Sequence, residues 1–168
     1  MRLLLAALVA VLPFSARAVD AKATLRDTTG KTIGTAALTP TEDGVRVVVS
    51  VVGLSPGAHG LHVHAVGLCE RPGFISAGGH FNPSAKEHGA ENPRGPHVGD
   101  LPNLMVDAAG TGTASFVLKD ASLQPGARSL LPTQGTSIVI HASADDLKSD
   151  PAGNAGARIA CGVIERQR

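Results

Sequence analysis

Aromatic side chains are scarce in this chain of 168 residues, which has no tryptophan, no tyrosine and only four phenylalanines. A surface with so few flat rings offers no stacking platform for nucleobases. Charge of one sign is lacking as well, since 15 lysine and arginine residues stand against 14 acidic residues. This balance gives no electrostatic footprint for nucleic acid or for an anionic membrane. The core must therefore consist of valine, leucine, isoleucine and alanine with a few phenylalanines.

A long apolar segment is also missing, because the run Leu3–Phe14 is too short to span a bilayer. Arg2 precedes this run, and Ala16-Arg17-Ala18 follows it as a small-x-small cleavage site, a pattern typical of a secretory signal peptide. We expect residues 1–18 to be removed, leaving one mature domain of residues 19–168 outside the cytoplasm. A retained membrane anchor is the alternative.

Cysteine is limited to two residues, Cys69 and Cys161. In an oxidising compartment outside the cytoplasm, this pair is expected to form a disulfide. Closure of so long a loop would stabilise the fold by roughly 4 kcal/mol. The alternative is that both thiolates bind a metal ion.

What the sequence does contain is a series of short segments with alternating or β-branched apolar residues between glycine and proline turns. In one of them Val45, Val47, Val49 and Val51 would share one face. No stretch sustains the apolar period of 3.6 residues that a helix requires. This pattern predicts an all-β, antiparallel sandwich or barrel. The expected strands are Ala21–Thr28, Lys31–Leu38, Val45–Val52, His59–Val66, Leu104–Val106, Thr113–Leu118, Ser137–His141 and Ala157–Ile164.

Two long irregular stretches, Gly67–Gly99 and Ala142–Gly156, interrupt this series. Long loops inside a compact domain are usually either functional or disordered. Histidines lie close to the ends of both stretches, which favours a functional role.

All seven histidines fall between positions 59 and 141. His62 and His64 are two residues apart on a predicted strand, so they point to the same side and could bind one metal ion. His59 lies on the opposite face of that strand, where a structural hydrogen-bonding role is expected. His141, at the end of another strand, is a plausible third ligand beside the first two.

A second group comprises His80, His88, His97 and Asp100, on the long loop and at its exit. Three imidazoles and one carboxylate make a closed tetrahedral set, which suits structural zinc. A solvated polar loop is the alternative. Imidazole ligands without thiolate suit copper or zinc, whereas a blue-copper carrier would need a cysteine ligand. The spacing alone leaves open whether one metal or two are bound.

Most of these histidines belong to four distinctive stretches of the sequence. The stretches are His59-Gly60-Leu61-His62-Val63-His64, Gly79-His80-Phe81-Asn82-Pro83, His97-Val98-Gly99-Asp100-Leu101-Pro102-Asn103 and residues 153–164. They resemble copper/zinc superoxide dismutases. The resemblance covers essentially the whole mature chain, and the motifs occur in the same order with matching spacing. The signal peptide, the position of Cys69 and the short 142–157 loop are similar to the exported bacterial branch.

The resemblance implies a role for each matching residue. The implied copper ligands are His62, His64, His80 and His141, and the implied zinc ligands are His80, His88, His97 and Asp100. His80 would therefore bridge the two metals as an imidazolate. Asp145 would link a copper histidine to a zinc histidine, a role for which Asp146 competes. Arg158 would guide the substrate beside the copper, and Cys69 and Cys161 would form the family disulfide.

The fold implied by the resemblance is an antiparallel Greek-key β-sandwich or flattened barrel of about eight strands with two long functional loops. The implied activity is dismutation of superoxide, a small anion, by an exported, periplasmic enzyme that is a monomer or a homodimer. The implied cofactors are one copper ion and one zinc ion per subunit. Two other classes remain: a related domain that carries copper or zinc without turnover, and a purely structural β-sandwich.

Overall fold

The computed structural model describes residues 20–167 and folds them into eight strands with one short 3₁₀ helix, Ile75–Ala77. The predicted signal peptide, residues 1–18, lies outside the described part of the chain. The strands are β1 Ala21–Asp27, β2 Thr32–Thr41, β3 Gly44–Val52, β4 Gly57–His64, β5 Asp100–Val106, β6 Thr111–Lys119, β7 Ser137–His141 and β8 Arg158–Arg166.

All strand pairs are antiparallel, and together they close a barrel in the order β1-β2-β3-β6-β5-β4-β7-β8. The connections from β3 to β4 and from β6 to β7 join strands that are not neighbours, as in a Greek key. The predicted all-β, antiparallel fold of about eight strands is thus confirmed. The weakest seam lies between β5 and β6, which are joined by the single pair Val106 and Gly112.

The barrel interior is filled by alternate residues of each strand, and β3 shows the pattern most clearly. Val45, Val47, Val49 and Val51 are at most 1% exposed, as the sequence predicted. Strand β5 begins earlier than predicted, at Asp100 instead of Leu104. Pro102 disguises this start in the sequence, because proline lacks the N–H that a paired strand normally donates.

Three long connections leave the barrel, of which the sequence analysis singled out two. Residues 65–99 join β4 to β5, and residues 142–157 join β7 to β8. The third, residues 120–136 between β6 and β7, contains an isolated bridge between Ser122 and Ser129. Within residues 20–167, no helix is long and apolar enough to cross a membrane.

A disulfide between Cys69 and Cys161 attaches the 65–99 loop to strand β8, as predicted. Around it lies a second small apolar cluster, separate from the barrel core, that contains Phe74, Ala77 and Val139. Val139 belongs to β7 between two core residues, so it faces the outer surface of the barrel. The disulfide therefore fixes the first part of the loop to the outside of the β7–β8 pair.

Candidate metal centre

Four histidines converge beside the β4–β7 strand pair, in which His62 lies opposite Val139 and His64 opposite Ser137. His62 and His64 are alternate residues of β4, and His141 is the last residue of β7. His80 is drawn from the 65–99 loop by a backbone bridge to His64 and by the 2.8 Å hydrogen bond that Phe81 donates to Val63 O. Each of the four histidines offers one ring nitrogen within 4.8 Å of the others.

The facing nitrogens of this group are buried and unsatisfied. Among the described residues, no hydrogen-bond partner contacts His62 Nδ1, His64 Nε2, His80 Nε2 or His141 Nε2. Buried polar atoms nearly always have partners, so four unsatisfied nitrogens at one place require an explanation. A single cation bound by all four would satisfy them together, and the donor set fits copper.

The opposite ring nitrogen of each of three histidines is held by the protein. His62 Nε2 lies 2.7 Å from Asp145 Oδ2, His64 Nδ1 lies 2.8 Å from Gly78 O, and His141 Nδ1 lies 3.1 Å from Gly156 O. Each of these acceptors requires the proton on the nitrogen that it contacts. The facing nitrogen is therefore left with its lone pair free, as a metal ligand must be.

The second group joins His80, His88, His97 and Asp100, whose ligand atoms also lie within 4.8 Å of one another. His97 Nδ1 lies 3.4 Å from His80 Nδ1 and 3.1 Å from Asp100 Oδ1, which in turn lies 2.8 Å from His80 Nδ1. A tetrahedral zinc shell with bonds of about 2.0 Å places its ligand atoms roughly 3.3 Å apart. The observed separations fit such a shell, with His80 common to both groups.

The second group sits in a tightly hydrogen-bonded part of the loop. The backbone N–H groups of Gly89 and His97 donate to Asp100 Oδ2 at 3.0 and 2.9 Å. Burial alone would raise the pKa of Asp100, but hydrogen bonds from His80, His97 and the Gly89 N–H outweigh it and hold the pKa well below its usual range. Asp150 accepts a 2.7 Å hydrogen bond from the His88 N–H and thus ties the 142–157 loop to the 65–99 loop.

Asp145 joins the two groups through its two carboxylate oxygens. Oδ2 contacts His62 Nε2 at 2.7 Å, and Oδ1 contacts His88 Nε2 at 3.0 Å. Burial raises the pKa of Asp145, but the hydrogen bonds with His62 and His88 dominate and lower it. The competing acid, Asp146, instead caps its own turn by accepting from the N–H groups of Lys148 and Ser149.

Burial controls protonation of three of the histidines. Removal from water lowers the pKa of His64 to about 2 and the pKa values of His80 and His141 to about 4. These rings are neutral near pH 7, so each has one nitrogen lone pair available to a metal ion without loss of a proton, and His80 would lose its remaining proton only when both of its nitrogens bind metals. His97 differs, because its hydrogen bond and charge interaction with Asp100 outweigh burial and raise its pKa.

Arg158 begins β8 beside His141, its partner in the β7–β8 register. Its guanidinium donates to Phe74 O and Gly78 O, both at 2.7 Å, so the disulfide-bonded loop fixes its direction. Gly78 O also accepts from His64, which means that one carbonyl positions both the cation and a member of the first histidine group. Burial lowers the pKa of Arg158, yet an arginine remains cationic at neutral pH.

His59, predicted to be structural, belongs to neither group. It is buried, with Nδ1 2.7 Å from His141 O and Nε2 2.9 Å from Ser55 O. A shift in the β4–β5 register between His59 and Leu61 interrupts the simple alternation along this strand. The His59 ring thus fixes the backbone carbonyl of His141 by a hydrogen bond.

Several supporting residues escaped the sequence analysis. Asn103 pairs with the backbone of Asp145, donating to its carbonyl at 2.9 Å and accepting from its N–H at 2.8 Å. Gly153 lies directly against Asp145, and Gly78 supplies the shared carbonyl. Asn103 is part of one of the quoted motifs, so its importance could have been inferred from the sequence. Its contact with the backbone of Asp145 could not, because a single sequence does not show which backbone atoms a side chain contacts.

The sequence matches known proteins of one family over most of its length. The family profile described as "Copper/zinc superoxide dismutase (SODC)" matches residues 32–164. The chain is 47% identical over 148 residues to superoxide dismutase [Cu-Zn] 2 of Aquifex aeolicus, covering 87% of this chain and 86% of that protein.

Two solved structures extend the likeness to the fold. The chain superposes on a SOD-like protein from Bacillus subtilis with a TM-score of 0.82 and 41% identity, covering 84% of this chain and 96% of that chain. With the Cu/Zn superoxide dismutase from Brucella abortus the TM-score is 0.69 and the identity 31%, over 87% of this chain and 99% of that chain.

Proposed function

This chain belongs to the copper/zinc superoxide dismutase family, and we propose that it dismutates superoxide to dioxygen and hydrogen peroxide outside the cytoplasm. The observation that carries the proposal is that His80 is common to two ligand groups, one of histidines alone and one containing Asp100. Two different metal ions on either side of one imidazole fit this arrangement.

The two groups assign the ligands. Copper would be held by His62 Nδ1, His64 Nε2, His80 Nε2 and His141 Nε2. Zinc would be held by the Nδ1 atoms of His80, His88 and His97 and by the carboxylate of Asp100. The proposed cofactors are one copper ion and one zinc ion per subunit, and the His80 ring would bind both as an imidazolate.

When bound, copper supplies a one-electron redox couple and zinc a fixed positive charge. His80 Nε2 is the atom at which a proton would be held between the two half-reactions and from which it would pass to the second superoxide. Its Nδ1 lies 2.8 Å from Asp100 Oδ1, and both atoms would be zinc ligands in the loaded protein, so the ring would stay oriented. Burial is the main cause of the lowered pKa of His80, and it limits protonation of Nε2 by bulk water between the half-reactions.

Arg158 would attract the substrate. Its guanidinium is anchored to carbonyl oxygens and, among the described residues, forms no ion pair with a carboxylate. An anion approaching His141 would therefore meet an uncompensated positive charge with donors in a fixed direction. Asp145 would keep His62 and His88 oriented toward their separate metals.

The proposed location outside the cytoplasm rests on three observations. The first residues have the pattern of a secretory signal peptide, the two cysteines form a disulfide, and the relatives named above come from bacteria. Disulfides persist in the bacterial periplasm, which makes the periplasm the compartment that we propose.

The test is superoxide dismutation by the purified mature protein loaded with copper and zinc, measured beside a His141→Ala variant. We expect fast turnover that collapses in the variant while zinc content is retained. Tight copper binding without turnover in the parent protein would reject the enzyme and favour a metal carrier instead. A melting temperature that chelators leave unchanged would point to a structural domain.

A further inference from the structure

The outer surface around the disulfide carries two arginines that serve none of the roles described above. A pocket of about 330 Å³ lies over the Cys69–Cys161 bond, and Arg26 and Arg71 line it. Within residues 20–167, neither arginine lies within 4.0 Å of a carboxylate, whereas Arg94 and Arg128 elsewhere on the surface are paired with acids.

Both arginines are held in place by one turn. Arg26 donates to Gly30 O at 3.2 Å, and Arg71 donates to Thr29 O at 2.5 Å. Gly30 permits this approach, because a Cβ there would lie 2.7 Å from Arg71 Nη1. The β1–β2 turn thus fixes two guanidinium groups at the pocket. Each carbonyl accepts from only one N–H of its arginine, so the other N–H groups remain available to a ligand.

The register of the strands places one of these charges beside the disulfide. Arg26 of β1 is directly opposite Cys161 of β8 in the antiparallel pair. Side chains at such positions have Cβ atoms roughly 4.5–5.5 Å apart. The two sulfurs differ in access, because Cys161 is 1% exposed and Cys69 is partly exposed.

We propose that this pocket binds small thiols that carry an acidic group and directs them to exchange with the disulfide at Cys69. Arg26 and Arg71 would hold the acidic group by charge-assisted hydrogen bonds. Glu165 also lines the pocket and reduces its net charge from two to one positive unit, so the preference for anions depends on both arginines.

The exchange step is balanced by the thiol itself. The incoming thiolate attacks Cys69 Sγ, the Cys69–Cys161 bond breaks, and a mixed disulfide forms on Cys69. Cys161 leaves as a thiolate, which the positive charge of Arg26 opposite it stabilises, and a leaving thiol of lower pKa departs faster. A second small thiolate then attacks the small-thiol sulfur of the mixed disulfide and Cys69 leaves as a thiolate, so two small thiols are joined as a disulfide and the protein disulfide is reduced.

The experiment compares two reductants on the full mature, metal-loaded protein. 2-Mercaptoethanesulfonate carries an acidic group and 2-mercaptoethanol carries none, and disulfide reduction is followed by alkylation and mass spectrometry. After correction for thiolate fraction, we expect the sulfonate to react about tenfold faster at low ionic strength, as anion focusing allows. The advantage should shrink in 1 M salt.

A double variant, Arg26→Gln with Arg71→Gln, should bring the two rates to about the same value. The rate with 2-mercaptoethanol should fall less than the rate with the sulfonate, because only the stabilisation of the leaving Cys161 thiolate is lost for that reductant. Arg46→Gln, which removes an exposed arginine of β3, is the matched control and should keep the preference. If the double variant merely loosened the loop, both thiols would react faster. Equal rates in the parent protein, or an unchanged preference in the double variant, would overturn the proposal.

Discussion

Gly153 lies so close to Asp145 that a Cβ atom at position 153 would be 1.9 Å from Asp145 Oδ1. The same atom would be 2.6 Å from His88 Nε2, the ring nitrogen that this oxygen contacts. No side chain can occupy that space without displacing the carboxylate. The link between the two histidine groups therefore depends on a residue that has no side chain.

Replacing Gly153 by alanine should weaken metal binding about 10- to 100-fold, the usual cost of losing a group that orients a ligand. Zinc affinity measured by chelator competition tests this. Gly53→Ala is the matched control, because Gly53 has a similar positive φ of 79° against 64° but open space around it. The control should lose stability through strain, by about 1–3 kcal/mol, and keep its zinc affinity. Equal zinc affinity in Gly153→Ala and wild type would contradict the expectation.

Alanine substitutions at Asp145 and at Asp146 should have different effects on metal affinity and stability. Loss of Asp145 frees His62 Nε2 and His88 Nε2 to rotate, so affinity for both metals should fall about 10- to 100-fold. Loss of Asp146 removes turn hydrogen bonds at an exposed site and should lower stability only slightly, with metal binding intact. Metal titration and urea denaturation of both variants measure these effects. A larger loss of metal affinity in the Asp146 variant than in the Asp145 variant would refute the role given to Asp145.

Single histidine replacements should reveal the shared ligand. His141→Ala should lose copper and keep zinc, and His97→Ala should lose zinc affinity first, because each belongs to one group only. His80→Ala should weaken both. Metal content after dialysis against graded chelator gives the result for all three variants, and a His80 variant that lost only one metal would exclude the bridge.

Part of the fold and of the site could be predicted from the sequence alone, and part could not. The alternation of β3, the shared direction of His62 and His64 and the cysteine pair follow from strand period and compartment, so they could be predicted. The pairing of Asn103 with Asp145 spans 42 residues and uses backbone atoms of its partner. The Arg158 guanidinium donates hydrogen bonds to Phe74 O and Gly78 O, which lie 84 and 80 residues away in the sequence. Carbonyl acceptors exist at every position, so only the folded backbone identifies which are used.

The Arg158 guanidinium spans two carbonyl oxygens that a lysine cannot contact in the same way. Arg158→Lys keeps the charge but offers one compact ammonium in place of a planar fork. Loss of one oriented, charge-assisted contact of about 1.4 kcal/mol or more predicts a fall of about tenfold or more in kcat/KM for superoxide. Steady-state kinetics at unchanged copper content tests this, with Arg46→Lys as the control. Full activity in Arg158→Lys would mean that charge alone suffices.

Acid should destabilise the metal-free protein before it affects the carboxylates. Burial holds the pKa of His64 at about 2 and those of His80 and His141 at about 4, against about 6.5 in an unfolded chain. Between roughly pH 6.5 and 4 the unfolded state therefore binds more protons, and stability falls as pH falls. Each such histidine contributes up to about 1.4 kcal/mol per pH unit in that window.

Urea unfolding of the metal-free protein at intervals from pH 7.5 to 4.5 measures this slope. His141→Gln removes one titrating group and should reduce the slope, whereas copper and zinc should flatten it near neutral pH by competing with protons for the same nitrogens. The raised pKa of His97 works in the opposite direction, since its proton stabilises the fold at low pH. A stability that stayed level from pH 6.5 to 4.5 without metal would mean that the three rings protonate as readily in the folded as in the unfolded chain. Their burial and unsatisfied nitrogens would then not describe the metal-free protein in solution.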